Sequence, residues 1–158
     1  MASVAIAHPR DRAELVAEAS RYLGAASILV VGGIHAQQYY DAYFNVVPTI
    51  GTLFLLSFIG AGAVAVTLVS PVRLLGRTLG DLVLVLAALG GISIAVGTFA
   101  GLLTSEYTPL FGFMESGYRL AIVLTFVFDV ISTLLLGTFV AIVAPQLARE
   151  LRASRTTR

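Results

Sequence analysis

The chain has 158 residues, 58% of them hydrophobic and 12% charged, against ~25% charged in an ordinary soluble domain. It contains no cysteine, which excludes disulfides, thiolate nucleophiles and Cys-ligated metal, and its net charge of +1 offers nucleic acid nothing to bind. This is the composition of a protein dissolved in lipid, and four membrane passes leave no length for a separate soluble domain, so residues 1–158 read as one integral membrane domain.

Residues 1–21 alternate charged and small side chains and lack the apolar run and cleavage site of a secretory signal, so no segment is expected to be removed. They predict an amphipathic interfacial helix that begins near Pro9, where a missing N–H costs nothing, and runs into the first span. That span, about 22–39, is the least hydrophobic of four: beyond Ile34 it carries His35, Gln37 and Gln38, so its outer third should face protein. Aromatic and polar residues then alternate through YYDAYFNVV, the composition of a headgroup-level loop.

Pro48 opens the second span, about 48–70, and Pro71 closes it. Ser57, Ala61 and Ala65 fall four apart, the small-residue spacing that lets membrane helices approach closely. A short basic turn, PVRLLGR, leads to the third span, about 78–104. There Ala87, Gly91 and Ala95 share one face, while Ser93, Gly97 and Gly101 share another and include a GxxxG motif, expected either to pack within the bundle or to meet another subunit. Asp81, one turn in, reads as a structural carboxylate favoured by the helix dipole. Residues 105–118 form the second outer loop, with Tyr107, Phe111, Phe113 and Tyr118 as interface anchors.

The fourth span, about 119–144, carries a single ionisable side chain after Arg119, namely Asp129 near its middle, and is expected to stop at Pro145 before a basic, frayed tail. A central carboxyl carries an insertion penalty of roughly 2.5–3.5 kcal/mol, so it needs neighbours. On a helical wheel Thr125, Ser132 and Thr133 share its face. The stripe reads either as a proton or cation site or as an interhelical hydrogen bond to Ser57, Ser93 or Thr98. Arg119 is ten residues away, about 15 Å along the axis, so Asp129 is either protonated or paired with something outside this chain.

Arg10, Arg12, Arg21, Arg73, Arg77, Arg149, Arg152, Arg155 and Arg158 fall on the side of both termini, and Arg119 alone falls on the other. This bias predicts an all-α, up-down-up-down bundle of four transmembrane helices in a cell membrane, both termini cytoplasmic. At the opposite side His35, Gln38 and Tyr39 should gather with Glu106, Glu115 and Arg119 into an outer cup suited to a metal ion, a haem edge or a quinone head, with a hydrogen-bonded interfacial histidine as the plainer alternative. The chain lacks G-x-x-x-x-G-K-[ST], H-E-x-x-H and G-x-S-x-G, and His35 and Asp129 lie at different depths, so neither an enzyme nor a resident cofactor is expected.

The segment HAQQYYDAYFNVVPTIGTLFLL resembles a pattern in small four-helix membrane proteins of actinobacteria: a histidine and aromatics, then Pro48, Gly51, Leu53, Phe54, Leu55 and Leu56 opening the second helix. The resemblance implies the fold and a bacterial source without an activity; arginine as the sole basic residue type fits a GC-rich genome. The function expected is a non-enzymatic accessory or interaction subunit in the bilayer, meeting its own copies or a partner membrane subunit. A small proton- or ion-coupled carrier using Asp129 is the alternative.

Overall fold

The computed structural model describes residues 9–114, 117 and 119–156. It is all-helical, with four long helices and no strand among those residues: α1 (Pro9–Tyr40), α2 (Pro48–Val69), α3 (Arg77–Tyr107) and α4 (Leu120–Thr156). Each is long and apolar enough to cross a membrane; even the shortest, α2 with 22 residues, extends about 33 Å at 1.5 Å per residue. The chain is thus built as a multi-pass membrane protein. Serine and threonine hydroxyls in α2, α3 and α4 bond back to the carbonyl four residues earlier, as at Thr67, Ser93 and Thr138, so they sit in lipid-facing helices without an open donor.

The least hydrophobic helix is the most enclosed. Half of the apolar window of α1 is buried, against 17% for α2, because its polar outer third needs protein around it. Close approach depends on missing side chains. A Cβ on Gly32 of α1 would lie 2.8 Å from the Ala61 Cβ of α2, and one on Gly91 of α3 would lie 2.6 Å from a Leu136 methyl of α4. The small-residue face of α3 that makes contact is therefore that of Gly91 and Ala95, both buried. Ala61 and Ala65 are likewise buried in the core.

One end of the bundle is tied by charge. Arg73, on a short 3-10 turn (Val72–Leu75), donates to Glu18 of α1 and, at 2.6 Å, to Asp81 of α3; Glu18 also accepts from Arg21 at 2.6 Å. Asp81 is more than a helix-dipole residue: it is 8% exposed and ion-paired. Burial alone would lower the Arg73 guanidinium, but the hydrogen bonds to Asp81 and Glu18 and the charges of both outweigh it and hold it above its ordinary value. The expectation that the last helix stops at Pro145 is corrected here. α4 continues through the proline to Thr156, because the segment beyond it has docking partners. Leu147 is buried, and Glu150 accepts from Thr78 of α3 at 3.0 Å. The lost backbone bond costs less than undocking that turn would.

The other end is tied by aromatics. Phe44 is buried on a 3-10 turn (Phe44–Val46) and stacks on Phe54 of α2 at 5.1 Å and on Phe113 at 5.3 Å, with the Arg119 guanidinium 5.7 Å above its ring. Phe113 belongs to a tight turn in which Leu110 and Phe113 exchange backbone hydrogen bonds; Phe111 (φ 52°) and Gly112 (φ 79°) occupy its left-handed positions. Tyr107 and Phe111 are exposed, whereas Phe113 turns inward; Tyr118 lies outside the described residues. Where this end meets α2, a Cβ on Gly51 would sit 2.5 Å from the Phe44 carbonyl oxygen, a backbone atom with no rotamer to yield. Gly51→Ala is expected to cost about 1–3 kcal/mol, read as a lower unfolding midpoint in detergent, whereas Gly62→Ala, with nothing within 4 Å, should be neutral.

Candidate functional site

Asp129 is 1% exposed and lies between α3 and α4. Thr98 of α3 donates to its Oδ2 at 2.8 Å; Thr98 is one of the three partners the sequence offered. The same hydroxyl lies 3.0 Å from the carbonyls of Ile94 and Ala95, so one proton is shared among three acceptors. Asp129 Oδ1 is buried and has no hydrogen-bond partner, and no basic side chain pairs with the carboxyl, among the described residues. The acid lines an apolar groove of about 220 Å³ together with Ala95, Val96, Phe99, Val130, Thr133 and Leu134.

The stripe predicted around Asp129 divides. Thr125 is buried and bonds back to the Ala121 carbonyl at 2.9 Å. Ser132, fully buried, donates to Ser27 of α1 at 2.9 Å, and Ser27 donates on to the Phe128 carbonyl at 3.3 Å. Thr133 is half-buried on the groove beside the acid. Thus Thr133 and Asp129 share one wall, Ser132 joins α4 to α1, and Thr125 satisfies itself. Toward the ion-paired end the Ser27–Ser132 pair is followed by buried Leu68, Leu84, Ala88, Leu136, Phe139 and Val143, with Ser20, Arg21 and Asp81 buried farther on.

Of the predicted outer cup, His35, Gln38 and Arg119 line one small cleft, which Tyr39 and Glu106 do not line. His35 is 4% exposed; its Nδ1 lies 2.8 Å from the Val31 carbonyl and its ring meets Phe54 edge-on at 5.0 Å. Gln38 and Arg119 share a cleft of only about 20 Å³ with His35, and Gln38 donates to Gln37. Tyr39 packs edge-on against Tyr40 at 4.9 Å. Glu106 is half-buried, with Oε1 lacking a partner among the described residues, and Glu115 lies outside them. No group of three His, Cys, Asp or Glu side chains among the described residues could hold a metal ion.

His35 instead lines a larger cavity, about 300 Å³, between α2 and α3. Ser57, Gly97 and Gly101 line it as well. A Cβ on Gly97 would meet nothing within 4 Å, and one on Gly101 only a Leu110 methyl at 3.9 Å. Within this chain the GxxxG face makes room for a space; it does not bring two helices together. Sequence reasoning missed this cavity, because small-residue spacing marks both close contacts and gaps and only the partner helix separates the two.

No protein-family model, curated protein or solved structure matches the chain.

Proposed function

We propose that this is a non-enzymatic, multi-pass bacterial cell-membrane protein, up-down-up-down with cytoplasmic termini, that acts as an accessory or interaction subunit through the groove between α3 and α4. The observation that carries the reading is the Asp129 carboxyl, buried beside an open apolar groove with one oxygen unpaired among the described residues. In hydrocarbon such a group is expensive unless something supplies a donor. The groove's size and greasy walls suit a transmembrane helix of another subunit that brings a hydroxyl or amide to Oδ1. The carrier reading draws less support, because on α1 the next buried polar residues, Arg21 and Ser20, stand six and seven residues from Ser27, about 9 Å or more along the axis, with apolar core residues between. For the metal reading, the described residues supply no ligand set.

Native mass spectrometry of the protein released from its own membrane in mild detergent tests the proposal. The wild type should register heavier than one 16.6 kDa chain, and Val130→Trp, which fills the groove from its rim, should return it to a single chain. Wild-type protein found only at single-chain mass would overturn the reading.

A further inference from the structure

The α2–α3 cavity is on a different side of α3 from the Asp129 groove, and its chemistry can be read from where its hydrogens point. It is lined by apolar side chains, by the rings of Phe54 and Phe113, and by His35, Ser57, Ser93, Thr98 and Ser105; no charged side chain lines it among the described residues. Ser93 donates its hydroxyl proton to the Leu89 carbonyl at 2.9 Å and Ser105 donates to the Leu102 carbonyl at 2.8 Å. Thr98 has its one proton among Ile94, Ala95 and Asp129. The Val31 carbonyl can only accept, so His35 carries its hydrogen on Nδ1, and the neutral ring keeps its lone pair on Nε2. Four of the five polar groups have therefore committed their hydrogens inside the protein and have only lone pairs left to offer. Of the five, Ser57 alone has no hydrogen-bond partner among the described residues and is free to turn either way.

From this inventory we infer that the cavity binds a neutral, lipophilic phenol or quinol from the bilayer, whose hydroxyl donates to the acceptors lining the cavity and whose ring packs against Phe54 and Phe113. A charged headgroup is disfavoured because nothing there neutralises it, and a ligand with carbonyl oxygens alone would find a single donor, Ser57, against the lone pairs of the other four groups. A volume of about 300 Å³ takes an aromatic ring with the start of an alkyl tail. Gly97, exposed on the α3 face that lines the cavity, leaves the space open beside Thr98.

The test compares 4-decylphenol with its methyl ether, which differ by a single O–H donor, on the full chain in lipid nanodiscs. Retained compound is measured by mass spectrometry after equilibrium dialysis, with empty discs subtracted. The phenol should bind saturably and roughly tenfold more tightly than the ether. Gly97→Leu, whose Cβ would meet nothing within 4 Å, should abolish saturable binding without lowering the unfolding midpoint. His35→Phe should reduce phenol binding and leave the ether unchanged. Equal binding of phenol and ether, or phenol binding undiminished in Gly97→Leu, would overturn the inference and leave the cavity as space for a lipid acyl chain. None of these outcomes depends on whether the Asp129 groove holds a partner.

Discussion

Replacing Asp129 with leucine is expected to stabilise the isolated chain. Leucine reproduces the branch at Cγ, and the adjoining groove gives its methyls room. The substitution removes a carboxyl whose place at mid-membrane costs roughly 2.5–3.5 kcal/mol. It forfeits the Thr98 bond, and interhelical bonds of this kind contribute about 0.6 kcal/mol and at most ~1.7. The balance favours the variant by about 1–3 kcal/mol, a rise of a few degrees or more in the unfolding midpoint of the single chain in detergent. Asp129→Asn, which keeps an acceptor for Thr98 and the same size, should stay near wild type. A clear loss of stability in Asp129→Leu would mean that the carboxyl is fully served within its own chain. A residue that costs stability yet is built into a buried position points to a use outside the fold.

The opposite result is expected at the charged end. Arg73→Ala removes both the donor to the buried Asp81 and a donor to Glu18. Breaking a fully buried pair costs about 3–5 kcal/mol. Arg73 is 40% exposed and water reaches it, so a loss of about 2–3 kcal/mol is expected here. Most of that cost is the stranded Asp81 carboxylate, so Arg73→Ala combined with Asp81→Ala should unfold at a higher temperature than Arg73→Ala alone. Arg77→Ala is the control: its pair with Glu150 is 3.8 Å apart and 66% and 40% exposed, and its loss should register below about 0.5 kcal/mol. Equal effects at Arg73 and Arg77 would show that burial of Asp81 contributes nothing.

The hydrophobic runs set the four helices, because hydrocarbon leaves a chain few ways to satisfy its backbone, and the observed bounds, such as Pro48–Val69, follow those runs closely. The inward position of Asp129 and its bond to Thr98 were also legible, since a carboxyl in lipid must find a hydroxyl and few were at the right depth. Other features depend on pairings that no single helix encodes. Two small-residue faces on α3 looked alike along the chain, yet Gly91 meets Leu136 while Gly97 meets nothing. Arg73 looked like a marker of orientation until the 3-10 turn brought it back onto Asp81 and Glu18. Pro145 looked like a stop, and the helix beyond it persists because Leu147 and Glu150 dock. Depth along the chain groups His35 with the loop carboxylates; the inward turn of Phe44 and Phe54 puts it in an aromatic cluster lining a cavity without charged side chains among the described residues.

The central claim is that the carboxyl of Asp129, with one buried oxygen unpaired among the described residues, serves a contact with another polypeptide. Photo-crosslinking in native membranes tests it most directly, with benzoylphenylalanine placed at Val130, an exposed position on the groove rim beside the acid. The account predicts a covalent polypeptide adduct in the wild-type background, retained with Asp129→Asn and lost with Asp129→Leu. Adducts to lipid alone, or a polypeptide adduct of equal yield in Asp129→Leu, would contradict it.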